Sequence, residues 1–315
     1  MRVLVAGGAG FIGSHLVEAL LLQGQEVVCV DDLSIGCGQE NLLAIPDRAN
    51  LSFVEMDVTD ADALREVFRS GRFDCVCHLA ANSDIQASAK DPQIEYRNTY
   101  TTTFCLLECM RTFDVKRLFF ASTSAVYGEK EGEAVGEGAA DLRPISYYGA
   151  AKLGSEALIH AYSYMDGLDA LIYRFPNVVG SRLTHGAIFD FVRRLKDDPS
   201  QLTILGDGSQ VKPYMHVSDL VGGILQGMDG LAAGGGVSIY NIGVETQTPV
   251  WRIGELVLEG MGLAGIPVHF TGGRGGWRGD VPAFAYDLSK IHATGWRASM
   301  TSDEAVARTV CEVLA

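Results

Sequence analysis

Along the first half of the chain, short and mainly apolar runs alternate with longer stretches whose apolar residues recur every three or four positions. The runs at 3–6, 26–30, 51–55, 73–79, 117–121 and 170–175 are short and read as strands. Between them, Phe11, Ile12, Leu16, Val17, Leu20 and Leu21 fall at helical intervals, as do Leu64, Val67 and Phe68 within 60–69. Longer helical stretches are predicted over 92–112 and 147–164. Strands alternating with helices at this spacing imply parallel βαβ crossovers and a doubly wound parallel sheet of the α/β class. Two polar, glycine-bearing stretches, 32–41 and 129–141, are predicted as loops. Past residue 175 the rhythm changes to short elements: a helix over 187–196, strands at 202–205 and 214–217 about a turn at 206–208, a helix over 218–228 and a strand at 238–242. Further elements at 249–261 and 268–270 precede a C-terminal helix from 303. The expected division is a first domain of 1–175 plus about 216–243, and a smaller interleaved domain of 176–215 and 244–315.

The first strand runs into the first helix through Gly7, Gly10 and Gly13. In such a turn one glycine allows the tight bend, one lets a pyrophosphate approach the backbone, and one lets helix pack on strand. The anion then meets free N–H groups at the positive end of the helix. The second strand ends in Asp31, eighteen residues beyond Gly13, the distance expected for a carboxylate that hydrogen-bonds an adenosine ribose. Together these form the fingerprint of a Rossmann-type dinucleotide site. Phe11 and Ile12, between the glycines, belong to that site, and Asp32, Leu33 and Ser34 open a loop expected over the adenosine. Asp31 with Asp32 beside it would repel a 2′-phosphate, so NAD is favoured over NADP. A P-loop is excluded, because Ser14 and His15 stand where Lys and Ser/Thr are required.

Composition narrows the partners. A net charge of −14 argues against nucleic acid or an anionic membrane surface. No apolar run approaches the roughly 18–20 residues of a membrane span. The start Met1-Arg2-Val3 leads directly into the first strand, so no secretory signal peptide is expected. The seven cysteines form no C-x-x-C pair and are expected as buried, reduced thiols of a cytoplasmic protein. No His/Cys/Asp spacing suggests a metal site, and the Gly-x-Ser-x-Gly elbow of a hydrolase is absent.

The strongest chemical pair is Tyr148 and Lys152, four residues apart and so on one helical face. A tyrosine with an ordinary pKa of about 10 is a poor base at neutral pH. An ammonium one turn away, together with a cationic nicotinamide, stabilises the phenolate and lowers that pKa. Tyr148 then exchanges a proton with a substrate hydroxyl, and Lys152 also holds the nicotinamide ribose. Upstream, the strand ending in Ala121-Ser122-Thr123-Ser124 brings its hydroxyls to the carboxyl edge of the sheet, where ligands bind in this architecture. Thr123 is the candidate donor to the reacting oxygen, with Ser124 the near rival. His78 and Thr184-His185-Gly186 read as packing and capping residues.

These residues, with Asp57-Val58, His78-Leu79-Ala80-Ala81, Arg174-Phe175-Pro176-Asn177, Tyr214-Met215-His216-Val217 and Gly279-Asp280-Val281-Pro282, make the chain resemble an extended short-chain dehydrogenase/reductase of the NAD-dependent epimerase/dehydratase family. The resemblance covers essentially the whole length. It implies that Asp57 and Val58 flank the adenine, that Leu79, Ala80 and Ala81 line the cofactor, and that Asn177 contacts the diphosphate of a nucleotide sugar. It also implies a homodimer through helices near 92–112 and 146–164. Within the family the motifs are most similar to those of UDP-hexose 4-epimerases, including forms that act on uronates. Dehydratases of the family carry Asp-Glu after the catalytic Thr and the related decarboxylases a Glu; here Ser124-Ala125 follow, so both reactions are disfavoured.

At the nucleotide end, Lys212 stands where such epimerases usually carry an Arg, keeping the charge but losing the bidentate fork. Arg274 and Arg278, in a glycine-rich segment, are candidates to clamp the diphosphate, and Trp277 either stacks on a base or anchors the loop. The expected activity is therefore C4 epimerisation of a UDP-sugar, glucose/galactose or the uronate pair, through a 4-keto intermediate. Two rivals remain: a dehydrogenase or reductase that releases its NADH, and a non-catalytic NAD-binding regulator.

Overall fold

Val3, Leu4, Val5 and Ala6 carry no exposed surface and make up most of strand β1 (Arg2–Ala6). β1 lies inside a seven-stranded sheet with β2 (Glu26–Asp31), β3 (Leu51–Glu55), β4 (Cys75–His78), β5 (Arg117–Thr123), β6 (Asp169–Phe175) and β7 (Val237–Asn241). The computed structural model that shows this describes residues 1–34, 36–82, 84–130, 134–231, 234–273 and 285–315. The strand order is β7-β6-β5-β4-β1-β2-β3, with β1–β2, β2–β3, β1–β4 and β4–β5 paired in parallel. The order reverses between β1 and β4, so the loops leaving these strands diverge and open a crevice at the carboxyl edge. This is the doubly wound parallel sheet that the alternation of runs predicts.

The strands read as continuous apolar runs because both sheet faces are covered by helices. Leu4, Val28, Val76, Leu118, Phe120 and Ile172 form a core with Leu64 and Phe68 of α1 (Ala61–Gly71), Leu106 and Met110 of α2 (Thr102–Thr112) and Ile159 of α3 (Tyr147–Asp166). The helix Phe11–Leu22, which follows β1, buries Leu16, Val17 and Leu20. The Ser146 hydroxyl caps α3 by accepting from Gly149 N–H, and Gly167, at φ +69°, ends it.

The chain divides into two compact units, the first made of Met1–Gly128, Asp141–Arg174 and Val221–Tyr240. The second contains Glu129–Ala140, Phe175–Leu220 and Asn241–Ala315. Its own core joins Phe191 and Leu195 from helix Ala187–Asp197, Ile253 and Val257 from Val250–Gly260, and Val306 and Val310 from Ser302–Leu314. Short parallel pairings, Asn177–Val179 with Tyr214–His216 and Leu202–Ile204 with Val268–Phe270, flank that core.

Several local expectations are corrected. The loop predicted over 32–41 already contains the start of a helix, Gly38–Leu43, because Asn41 reaches back to donate to the Ala9 carbonyl at 2.9 Å. The acidic stretch over 129–141 includes a strand, Ala134–Val135, paired in parallel with Ala285–Tyr286 and bonded at the Val135 carbonyl by Asn241 Nδ2. The helix predicted over 92–112 is interrupted by a π turn, Tyr96–Thr101, in which the Thr101 hydroxyl bonds the Tyr96 carbonyl. All seven cysteines are free thiols, but Cys37 and Cys311 are exposed rather than buried. Cys37 sits on a surface turn at φ +25°, and Cys311 lies on an exposed position of the last helix.

The carboxyl edge of the sheet is fastened by a buried ion pair. Arg174 at the end of β6 grips Glu156 of α3 through Nε (3.0 Å) and Nη2 (2.5 Å), both side chains 3% exposed. Ser122 of β5 donates to the same carboxylate at 2.5 Å, and Arg174 Nη1 donates to the Tyr127 hydroxyl at 3.0 Å. Two strands and the helix between them thus share one charged junction. Arg174→Met leaves the Glu156 charge buried and unpaired, and is expected to lower unfolding stability by roughly 3–5 kcal/mol. In urea titrations the double variant Arg174→Met/Glu156→Leu should recover most of that loss.

Candidate active site

The turn from β1 into the first helix is shaped by close approach. Gly7 adopts φ +77°, and a Cβ there would overlap the backbone of Leu79 and Ala80 at the end of β4. A Cβ at Gly13 would overlap the Gly7 carbonyl oxygen. These two glycines are demanded by the protein's own packing. Gly10 differs: its added Cβ would meet only the Gly7 carbonyl, at an ordinary 3.5 Å. Gly10 caps the helix, and the N–H groups of the first turn, at Phe11, Ile12 and Gly13, have no helical partners. The space that a side chain at 10 would fill is a cradle for a pyrophosphate.

Asp31 ends β2 beside this turn. Its carboxylate accepts from Ala9 N–H at 3.0 Å and from Leu33 N–H at 2.9 Å, leaving lone pairs for ribose hydroxyls. Burial pushes the Asp31 carboxyl above the ordinary range, the backbone donors pull it back, and the charge of Asp32 adds to the rise. Asp32 in turn accepts from Ser34 N–H at 3.0 Å and from the Ser34 hydroxyl at 2.6 Å. Leu33 is held at φ +56°, a conformation unusual for a side-chain-bearing residue, by the bonds on either side of it. The loop is thus fixed by two successive aspartates that also exclude a 2′-phosphate. Leu79, Ala80 and Ala81 lie at the end of β4 next to Gly7. Val58 is buried, and Asp57 pairs with Arg97 at 2.6 Å. The glycine turn, Asp31 and the β4 end therefore come together at the sheet's switch point, and they fit a dinucleotide.

The hydroxyl, phenol and ammonium meet at the end of β5. Thr123 closes that strand, and its Oγ1 accepts from Ala125 N–H at 3.2 Å. Ser124 opens a short helical turn, Ser124–Val126, beside it. Lys152 is 2% exposed; its Nζ donates to the Ala121 carbonyl at 2.8 Å and lies 5.9 Å from the Tyr148 ring centre. Burial pulls the Lys152 ammonium down to about 8, against the opposing pull of the Glu95 and Glu156 carboxylates. Tyr148 is shifted upward by burial and by the Glu95 charge, while its hydrogen bond with the Thr123 hydroxyl opposes the rise. The sequence predicts a lowered phenol. In the protein alone the helical neighbour does not achieve that, because the phenol is desolvated and the Glu95 carboxylate opposes its ionisation. His78 hydrogen-bonds Thr103 at 2.9 Å and is held well below its ordinary range by burial and by Lys152, so it is a neutral packed residue.

Sequence reasoning missed Glu95, an acid 2% exposed whose burial nothing in its local sequence signals. The second unit holds Asn177, exposed at the start of its strand and in register with Tyr214. Lys212, two residues before Tyr214, is half-buried in a strand antiparallel to Thr248–Pro249. Arg274, Trp277 and Arg278 lie outside the described residues.

Residues 3–243 match the model of the NAD-dependent epimerase/dehydratase family. A dTDP-glucose 4,6-dehydratase of an Actinoplanes species is 30% identical over 98% of this chain and 97% of its own. Among solved structures, the UDP-glucose 4-epimerase of Thermus thermophilus in complex with NAD is 33% identical, with a TM-score of 0.87 over 99% of this chain and 98% of that one. The UDP-glucuronic acid 4-epimerase of Bacillus cereus, in complex with UDP-glucuronic acid and NAD, is 28% identical, with a TM-score of 0.89 over 100% and 99%. A glycine cradle with its ribose carboxylate, a Thr–Tyr–Lys cluster at the end of β5, and these likenesses lead to one conclusion: the chain is an enzyme of the NAD-dependent epimerase/dehydratase family, and its cofactor is NAD.

Proposed function

We propose that this enzyme interconverts the C4 epimers of a UDP-sugar, glucose/galactose or the corresponding uronates. The observation that carries the reading is the company Thr123 keeps. A hydroxyl, a phenol and an ammonium gather there, while positions 124 and 125 hold Ser and Ala in place of the acid and base that dehydration requires. The carboxylates nearest in the fold do not supply the lack. Glu156 is held by Ser122 and Arg174, and Glu95 by Asn82 and Thr99.

In this reading bound NAD would supply the hydride acceptor for C4 oxidation and the donor for the reverse reduction. Gly10 and the helix start would hold its pyrophosphate, on a turn that Gly7 and Gly13 make possible, and Asp31 would hold the adenosine ribose. Asp57, Val58 and Leu79 to Ala81 enclose the adenine side. Thr123 donates to the C4 oxygen, and Tyr148 accepts the hydroxyl proton as the C4–H bond breaks. Lys152 holds the nicotinamide ribose, and its charge opposes the desolvation that disfavours the phenolate. The 4-keto sugar turns within the site, Tyr148 returns the proton, and the opposite C4 configuration results with no net redox change. Asn177 and Lys212, with Arg274 or Arg278, bind the diphosphate. The first unit acts as the NAD domain and the second as the nucleotide-sugar domain. A cytoplasmic homodimer built on the helices near 92–112 and 146–164 belongs to the same proposal.

The deciding test incubates the protein separately with UDP-glucose, UDP-galactose and UDP-glucuronate, resolving products by chromatography while NADH absorbance is followed. Formation of the C4 epimer without NADH accumulation is expected; stoichiometric NADH with an oxidised product identifies a dehydrogenase instead. Tyr148→Phe should lower kcat by roughly 100- to 10,000-fold while leaving NAD affinity within a few-fold. Asp31→Ala should raise the NAD dissociation constant by roughly 10- to 100-fold in calorimetric titrations, the value of a hydrogen bond to a charged group. Because Lys152 carries its proton only below about 8, kcat should fall as the pH rises through that value.

A further inference from the structure

The π turn Tyr96–Thr101 interrupts an otherwise α-helical segment directly after Glu95. A π turn inserts an extra residue and so rotates the side chains before it relative to those after it. This one is seated against α3: Tyr100 packs where a Cβ on Gly154 would come within 3.1 Å of its ring. The side chain it aims inward is Glu95, 2% exposed. Asn82 Nδ2 donates to Glu95 Oε1 at 2.8 Å, and the Thr99 hydroxyl donates to Oε2 at 2.6 Å. Thr99 Oγ1 is itself the acceptor for Asn82 N–H at 3.3 Å, which leaves its proton for the carboxylate. With both oxygens accepting, Glu95 has the bonding pattern of the charged form.

A buried charge persists only where something answers it. Its charge bears on Tyr148 and Lys152 of α3; Lys152 is also faced by Glu156 on its own helix and by the buried His78 of β4, and Arg97 of the π turn pairs with Asp57. Of the two groups it bears on, Lys152 is the cation. We propose that Glu95 is a positioning residue for the Tyr148–Lys152 pair: a buried negative charge, delivered by the π turn and fixed by Asn82 and Thr99, that keeps Lys152 in its ammonium form. Lys152 is desolvated in the protein, and Glu95 is the first carboxylate acting to keep its proton on. The same charge opposes ionisation of Tyr148.

The signs follow. Neutralising Glu95 removes an attraction on the ammonium, so Lys152 loses its proton at lower pH. It also removes a repulsion on the phenolate, so Tyr148 ionises at lower pH. Both limbs of a pH–activity profile therefore move toward acid together, which loosened packing does not produce. The profile rests on the epimerase reading above; the Lys152 titration does not.

The test is an NMR titration of protein carrying 13Cε-labelled lysine, with the Lys152 signal assigned by its loss in Lys152→Met. Relative to wild type, Glu95→Gln is expected to titrate about one unit lower, and Glu95→Asp to return toward the wild-type value. Thr99→Val, which removes a donor but keeps the charge, should leave Lys152 much closer to wild type than Glu95→Gln does. An unchanged Lys152 titration in a folded Glu95→Gln protein overturns the proposal, as does an equal fall in Thr99→Val. If wild-type protein turns over no UDP-sugar, the epimerase reading fails while the lysine titration still decides the role of Glu95.

Discussion

The Arg174–Glu156 pair is the contact on which the catalytic geometry depends. An ion pair with both side chains 3% exposed gains little net stability over a well-packed apolar pair, because desolvating two charges costs nearly what their attraction returns. What it supplies is position. Glu156 lies one turn beyond Lys152 on α3, Ser122 immediately precedes Thr123 on β5, and Arg174 closes β6. Bidentate geometry tolerates little sliding or rotation. The helix carrying Tyr148 and Lys152 is therefore indexed against the strand carrying Thr123 by bonds made outside the reacting groups themselves.

Around that fixed frame, burial sets the electrostatics. Lys152 and Tyr148 are both displaced toward their neutral forms by loss of solvent, the lysine down to about 8 and the tyrosine upward. A phenol and an ammonium left to each other would share charge across one helical turn. Here the surrounding carboxylates and the Thr123 hydroxyl determine the balance.

The crevice follows from topology rather than from any single residue. Strand order reverses between β1 and β4, and the glycine turn after β1 faces the Leu79–Ala80 backbone after β4 so closely that Gly7 can carry no side chain, while Gly13 can carry none because it packs on the Gly7 carbonyl. Gly10 alone has room, and that room faces the anion site at the helix start. Two of the three glycines of the fingerprint are thus required by the protein's own packing, and the third leaves open space at the helix start.

Much of this was legible in the chain. Apolar runs of strand length with intervening helical periodicity determined the parallel sheet, since a strand buried on both faces has no polar alternation to hide. The glycine spacing with Asp31, and the four-residue step from Tyr148 to Lys152, pointed to a candidate cofactor site and a candidate reacting pair, because both patterns are local in sequence. The π turn was not legible: a register shift inside a helix leaves the spacing of apolar residues nearly unchanged. Nor was the burial of Glu95, whose meaning comes from Thr99 one turn along its own segment and from Asn82 and Lys152, brought to it by two others. The upward displacement of Tyr148 was missed for the same reason. Sequence displays which groups are present and their near neighbours; solvent exclusion and the sum of charges around a group exist only once distant segments have packed.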